Sequence, residues 1–172
     1  MSASTGERAT GFDIRPAVSA DVPQLLELIR GLAEYERLSH IVQCTESRLQ
    51  EALFGAEPCV EALLACSRDG GAAAGFALFF HNYSTFLGRR GLYLEDLYVR
   101  PEFRGRGCGK ALLVRLARLA CERGCGRFEW SVLDWNISAQ RFYEGLGALV
   151  LPDWRIVRLT GDALGRLAAQ DA

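Results

Sequence analysis

The segment from Leu92 to Arg123 decides the fold, and its sequence is LYLEDLYVRPEFRGRGCGKALLVRLARLACER. Residues 92–99 are mostly aliphatic and aromatic, which predicts a β-strand, and Lys110 to Arg123 repeats leucine at helical spacing. Between them lies a glycine-rich loop. Glycine lets backbone N–H groups approach a ligand closely, and a helix N-terminus adds partial positive charge. The segment therefore predicts an anion site, most often one for phosphate.

Two common phosphate-binding loops do not match these residues. A Walker A loop has glycine where the chain has Arg104, and serine or threonine where it has Ala111. A dinucleotide-binding fingerprint that starts at Gly105 needs glycine where Lys110 stands. What remains is the pattern R-x-x-G-x-G over residues 104–109.

Predicted strands and helices alternate along the rest of the chain. We expect a flexible tail over residues 1–11 and a single α/β domain with a mixed sheet over residues 12–172. Strands are predicted at residues 12–17, 60–67, 72–81, 92–99, 127–133 and 154–159. Helices are predicted at residues 19–36, 45–55, 110–123, 136–145 and 162–169, and a polar loop at residues 82–91.

These features together resemble the GCN5-related N-acetyltransferases. The resemblance covers the R-x-x-G-x-G loop, Ile14 to Ala17 near the start, and Phe142-Tyr143 followed by residues 145–148 near the end. It implies a single-domain α/β fold with a mixed, mostly antiparallel twisted sheet flanked by helices. It also implies acetyl-CoA as cofactor, with its pyrophosphate held by the loop.

A closer resemblance points to the diamine and polyamine acetyltransferases, the spermidine/spermine and thialysine group. It rests on residues 28–36, 93–99 and 133–136, the last of which read LDWN and look more like the thialysine branch. The group implies a small primary amine as substrate and a homodimer. Before Trp154 the chain keeps only Asp153 of an acidic pair found in the animal enzymes, which puts long polyamines in doubt as substrates.

The resemblance assigns the cofactor to three stretches of backbone. A backbone N–H on the strand before the loop, at Leu97 or Val99, would polarise the acetyl carbonyl. The loop and the start of the Asn136-capped helix would hold the rest of the cofactor. The residues implied are Leu97, Tyr98, Val99, Arg104, Gly105, Arg106, Gly107, Cys108, Gly109, Lys110, Asn136, Ile137, Ser138 and Ala139.

Tyr143 matches the family's general acid. A phenol with a pKa near ~10 is protonated at neutral pH and can transiently protonate a thiolate whose conjugate pKa is ~8.5. Without the resemblance, Phe142-Tyr143 would be taken as a pair that packs a helix end, because aromatic side chains usually lie in the core.

Glu95 is the candidate base, acting directly or through water. An amine is mostly charged at neutral pH, so a proton must be removed before it can attack. Strand alternation places Glu95 and Leu97 on one face and Asp96 on the other, although either carboxylate could instead pair with an arginine. The resemblance implies these substrate-binding residues: Tyr35, Glu36, Glu95, Glu129, Trp130 and Ser131.

The charge balance limits the possible partners. The 172 residues include 20 basic and 21 acidic side chains, a formal net charge of −1. This total argues against nucleic-acid and membrane-surface binding, which usually rest on a basic excess. Residues 100–127 nevertheless carry eight basic and two acidic side chains, and the rest of the chain carries 12 basic and 19 acidic side chains. The division suits an anionic cofactor at the loop and a cationic amine elsewhere.

The sequence predicts neither a membrane segment nor a metal site. No stretch is long and apolar enough to span a bilayer, and residues 1–10 lack a signal-peptide core, so we expect a cytoplasmic protein. Only Cys121 and Cys125 among six cysteines are closely spaced, and a zinc site would need a second such pair. The cysteines are expected to be buried or idle thiols.

Two alternatives to a small-amine acetyltransferase stay open. One is an acetyltransferase for another amine, such as a peptide N-terminus, an amino acid or a drug. The other is a non-catalytic CoA-binding regulator, which the presence of Tyr143 and Glu95 disfavours.

Overall fold

The sheet and helices are seen in a computed structural model that describes residues 11–170. The strands are β1 Phe12–Pro16, β2 Glu61–Ser67, β3 Ala73–Ser84, β4 Arg89–Val99 and β5 Phe128–Trp130. The α-helices are α1 Val22–Tyr35, α2 Glu46–Phe54, α3 Cys108–Glu122, α4 Ile137–Glu144 and α5 Gly161–Ala168. The predicted tail lies, apart from Gly11, outside the described residues.

The five strands form one sheet in the order β1-β2-β3-β4-β5. The first three pairings are antiparallel, and β5 runs parallel to β4. This confirms the predicted mixed, mostly antiparallel sheet flanked by helices. The chain divides into two compact units, of which the first ends at Ser131 and holds the whole sheet. The single domain over residues 12–172 stays a prediction.

Helices cover both faces of the sheet in the first unit. One face packs against α1 and α2 through a cluster that includes Leu25, Leu28, Leu49, Leu53, Leu64, Phe76, Leu78 and Tyr98. The alternate residues of the strands, among them Leu63, Ala77, Phe79 and Leu92, are buried on the side that α3 covers with Leu112 and Leu116. Burial on both faces fixes the strand register, because a one-residue slip would exchange the two sets.

A bulge interrupts β4 at Glu95. Leu78 of β3 faces Asp96, and the next residue, Phe79, faces Leu94, so Glu95 is the extra residue of β4. A bulged residue loses its ladder partner and bends its strand. The simple alternation predicted for this strand is therefore broken where the candidate base lies.

The predicted loop over residues 82–91 is wrong. Strand β3 continues to Ser84 and β4 begins at Arg89, so only a tight turn through Gly88 joins them. The pairs Tyr83–Arg90 and Ser84–Arg89 extend the ladder. The polar side chains misled the prediction, because a backbone ladder tolerates them wherever a hairpin extends into solvent.

The second unit contains α4, α5 and the segment between them. Asn136 caps α4 as predicted, because its side-chain oxygen accepts a hydrogen bond of 3.2 Å from the Ala139 N–H. The strand predicted at residues 154–159 is wrong, since this stretch has no regular structure. A strand needs a partner for its N–H and C=O groups, and none of the described strands pairs with it.

Candidate active site

The glycine-rich loop leaves several backbone N–H groups without a partner inside α3. Gly105 and Gly107 have φ angles of 72° and 84°, a left-handed conformation that favours glycine. The first hydrogen bond of α3 runs from the Ala111 N–H to the Gly107 carbonyl at 3.0 Å. The amides of residues 108–110 therefore have no acceptor within the helix. Together with the helix dipole, they give the loop the geometry that the predicted anion site requires, and the site itself stays a prediction.

Two arginines of the loop fix it to the sheet and to α1. Arg104 Nε donates to the Val99 carbonyl at 2.9 Å, and its guanidinium lies over the Tyr35 ring at 4.7 Å. The Arg106 guanidinium lies 5.5 Å from the Phe12 ring centroid. These contacts hold both side chains on aromatic rings and order the loop around its backbone amides.

The half of β4 next to the loop has an open edge. The parallel ladder with β5 runs from the Leu92–Phe128 pair to the Leu94–Trp130 pair and stops there. Beyond it, alternate residues of β4 direct their backbone N–H groups away from β3, because an antiparallel ladder uses only every second residue. Leu97 and Val99, the residues expected to bind the acetyl oxygen, lie in this half.

Three carboxyl groups lie close together at the end of α1 and the middle of β4. Burial, and then the charges of Glu95 and Glu36, raise the pKa of Asp96 to about 6. Burial also raises the pKa of Glu36, which follows the last residue of α1. Glu95 is exposed to solvent. A site with this charge favours a cationic ligand.

Asp96 is the residue that sequence reasoning missed. It faces Leu78 of the cluster packed by α1 and α2, and it is half-buried. The only signal in the sequence was its place beside Glu95, because burial by a distant helix cannot be read from strand alternation. A carboxyl group whose pKa lies near neutrality can exchange a proton with an amine more readily than an ordinary aspartate.

Tyr35 and Glu36 lie where the loop and the carboxyl groups meet. Tyr35 is 39% exposed, and its ring stacks under Arg104 of the loop. Glu36 contributes to the pKa shift of Asp96. The structure thus brings the predicted substrate pair, the predicted cofactor loop and Glu95 into one region of the first unit.

The three candidates on or just after β5 have structural contacts of their own. Glu129 accepts a hydrogen bond of 2.6 Å from Asn82 Nδ2 and forms an ion pair of 3.1 Å with Arg127. The Trp130 ring lies 4.8 Å from the Phe128 ring. The Ser131 and Tyr93 hydroxyl oxygens are 2.9 Å apart. These contacts fit a role in ordering the β4–β5 edge.

The remaining candidates lie on α4 in the second unit. Asn136 caps the helix, and its first turn contains Ile137, Ser138 and Ala139. Tyr143 lies one residue before the end of α4 and is half-buried, with its ring 5.4 Å from the Phe142 ring.

The thiols and the other possible metal ligands form no further site in the described part of the chain. No group of three or more His, Cys, Asp or Glu side chains within residues 11–170 could hold a metal ion. Burial raises the pKa of Cys108, the cysteine of the loop, to about 12, which makes its thiol a poor nucleophile. No helix within the same residues is long and apolar enough to cross a membrane.

Solved structures share this fold over most of the chain. An integron cassette protein from V. cholerae matches with a TM-score of 0.77 and 24% identity, covering 93% of this chain and 99% of that one. Ribosomal-protein-alanine N-acetyltransferase from Brucella melitensis matches with a TM-score of 0.64 and 24% identity, covering 86% and 99%. At this level of identity the likeness concerns the fold.

Sequence comparison is more specific. The family described as "Acetyltransferase (GNAT) family" matches residues 26–148. Thialysine N-epsilon-acetyltransferase from Bos taurus is 39% identical over 166 residues, covering 91% of this chain and 97% of the relative. L-ornithine N5-acetyltransferase NATA1 from Arabidopsis thaliana is 36% identical over 194 residues, covering 88% of this chain and 85% of the relative. The chain therefore belongs to the GNAT family and is an N-acetyltransferase.

Proposed function

We propose that this enzyme moves an acetyl group from acetyl-CoA directly to a primary amine of a small cationic acceptor, a thialysine-like amino acid or a diamine. The observation that carries the proposal is the group of carboxyl side chains, Glu36, Glu95 and Asp96, beside the glycine-rich loop. The relatives named for thialysine and ornithine support the same class of acceptor, since both compounds carry two amino groups.

The residues present fit acetyl-CoA. The amides at the start of α3, which have no acceptor within the helix, and the left-handed turns at Gly105 and Gly107 suit a pyrophosphate. Amides on the open edge of β4, at Leu97 or Val99, suit the acetyl oxygen. We assign the start of α4, residues 136–139, to the same cofactor by family resemblance. When bound, acetyl-CoA supplies the reactive thioester.

The chain's own residues would then handle two protons. The carboxylate of Glu95 or Asp96 accepts one from the acceptor ammonium, directly or through water, so that the amine nitrogen can attack the acetyl carbon. The carbon–sulfur bond breaks as the new carbon–nitrogen bond forms. The Tyr143 phenol donates a proton to the departing thiolate and recovers it from solvent.

Recognition of the second charge on the acceptor is assigned to Glu36. A diamine bound by one end leaves its other ammonium near the remaining carboxylates, and a charged hydrogen bond there contributes about 1.5–3 kcal/mol. A monoamine of the same length lacks this contact, so its kcat/KM should be lower by about tenfold or more.

Release of the CoA thiol with putrescine and with butylamine as acceptors tests the proposal. The wild type should prefer putrescine, and Glu36→Gln should lose most of that preference while retaining activity toward butylamine. Glu46→Gln, at the start of α2, is the matched control and should keep the preference. Equal use of both amines by the wild type would contradict the assignment of a dicationic acceptor.

We also propose that the enzyme is a homodimer. The second unit exposes many apolar side chains, with Trp154 75%, Ile156 70% and Val157 92% exposed. Such a patch on a small protein usually marks an interface. Light scattering after size exclusion should give twice the chain mass of 19.0 kDa, and a value of one chain mass would contradict the proposal. The cytoplasmic location stays a prediction.

A further inference from the structure

A second group of cationic side chains lies at the other end of β4 from the glycine-rich loop. Residues from β3, from the start of β4 and from the end of α3 line a cavity of about 640 Å³. The lining residues are His81, Tyr83, Gly88, Arg89, Arg90, Arg123 and Gly124. Helix α3 has 15 residues and joins the loop to the cavity, so at ~1.5 Å per residue roughly 20 Å separates the two.

The cavity forms because the β3–β4 hairpin is longer than the helix that covers it. His81 and Tyr83 point to the same face as Phe79, which α3 covers, but α3 ends at Glu122. Arg90 faces Tyr83 across the ladder and lies on that face too. The hairpin ladder that extends to Ser84 therefore builds the floor of the cavity, and the turn after α3 builds one wall.

Arg123 is held firmly at this wall. It donates to both carboxylate oxygens of Glu61, at 2.5 and 2.8 Å, and its guanidinium lies 5.9 Å from the Phe79 ring. It also donates to His81 Nε2 at 3.5 Å, which requires that this nitrogen carry no proton. A fixed guanidinium is preorganised for an anion, because little side-chain entropy remains to be lost on binding.

The cavity has more positive than negative charge. Glu61 is the carboxylate next to Arg123, and within residues 11–170 neither Arg89 nor Arg90 forms an ion pair. Burial, and then the charges of Arg123 and Arg90, lower the pKa of His81, although Glu61 opposes them. An anion bound beside His81 would favour its charged form and so raise this pKa.

We propose that this cavity is a second anion site, which binds a small molecule carrying a phosphate group. Arg90 supplies a guanidinium group that has no ion-pair partner within residues 11–170, and it can bind a phosphate through paired hydrogen bonds beside Arg123. The volume lies within the range of small-molecule pockets. Its lining contains no residue of the glycine-rich loop.

Histidine NMR on the full chain tests the proposal, since the chain has two histidines, His81 at the cavity and His40 elsewhere. Pyrophosphate is the probe, added at constant ionic strength against sodium chloride. We expect the His81 resonances to move saturably and its pKa to rise, while His40 stays unchanged. Pyrophosphate bound at the glycine-rich loop would lie too far away to produce this pattern.

Variants inside and outside the cavity distinguish binding at the cavity from a general effect of charge. Arg90→Gln should weaken pyrophosphate binding at His81 by about tenfold, the loss expected for one charged hydrogen bond. Arg118→Gln, on an exposed part of α3, is the matched control and should bind as the wild type does. A His81 signal that does not respond to pyrophosphate, or that responds equally in Arg90→Gln, would overturn the proposal.

Discussion

The fold places the Asp96 carboxyl group where its negative charge is unfavourable. Its carboxyl group is held beside Glu95 and Glu36 and is partly removed from water, so the protonated form is favoured in the folded protein. A charge at this position, beside the hydrophobic cluster that includes Leu78, does not stabilise the fold. A carboxyl group in such an environment is a candidate functional residue, and we propose that it serves a cationic ligand.

The pH dependence of stability follows from the direction of this shift. The pKa of Asp96 rises from 3.8 to about 6 on folding, so its protonated form stabilises the fold below about pH 4. That contribution is lost as the pH rises through about 6. Asp96→Asn keeps a neutral side chain, and near pH 8 it should raise the free energy of unfolding by up to about 3 kcal/mol.

Urea unfolding of both proteins at several pH values measures this difference. The gain should nearly vanish near pH ~3, which lies below the unfolded pKa of 3.8, because Asp96 is then mostly protonated in both states. Asp153→Asn, which removes an exposed carboxylate, should show no comparable gain at either pH. A destabilised Asp96→Asn near pH 8 would mean that the Asp96 charge is satisfied in the fold.

The proposed role of Tyr143 as general acid is also tested by changing a single side chain. We expect Tyr143→Phe to reduce the rate of thiol release by about 10²–10⁴-fold, because a general acid contributes a factor of this size. The affinity for acetyl-CoA, measured by calorimetry, should hardly change. A variant with the full rate would remove the phenol from the mechanism.

At the scale of elements, the glycine-rich loop links the sheet to the cofactor. Gly105 has a φ of 72° and open space around the position of a side chain, so the cost of an alanine there is conformational rather than steric. Gly105→Ala should lower the free energy of unfolding by about 1 kcal/mol. It should also reduce the thermal shift that acetyl-CoA produces, because the loop amides would be misplaced.

Gly161→Ala is the control for this variant. Gly161 also has a left-handed φ, 54°, and open space around it, but it lies at the start of α5. It should cost similar stability and leave the acetyl-CoA shift intact. If both variants reduced the shift equally, the loop would have no special part in binding the cofactor.

The elements also show what sequence can predict. Helix α3 was predicted because its leucines recur at helical spacing, and α4 because Asn136 caps it, both local signals. The bulge at Glu95, the burial of Asp96 and the open edge beyond Leu94 depend on the partners of β4, and so they could not be predicted. Residues 154–159 have the composition of a strand, but none of the described strands pairs with them, so the predicted strand does not form.

For the whole molecule, the division of charge found in the sequence matches two unlike ligands. Residues 100–127, which carry the basic excess, include the loop and α3. The three carboxyl groups lie just after α1 and on β4. Acetyl-CoA that binds only the folded chain should stabilise it by mass action. At a hundredfold excess over Kd, this amounts to ~2.7 kcal/mol.

A thermal melt with and without acetyl-CoA measures this effect. The expected increase in Tm is roughly 5–10 °C for a chain of this size. Free pantetheine, which lacks the pyrophosphate, should give a much smaller increase at the same concentration. No shift at saturating acetyl-CoA would contradict the cofactor assignment.

The central claim is that the acceptor is a small molecule with two amino groups, and a panel of acceptors in the thiol-release assay tests it most directly. Thialysine, ornithine, lysine, putrescine, spermidine, spermine and a peptide with a free N-terminus would be compared by kcat/KM at one pH. We predict that thialysine, ornithine or a short diamine gives the highest value and spermine a low one. Turnover of the peptide alone, or of none of these amines by a chain that still binds acetyl-CoA, would contradict the claim.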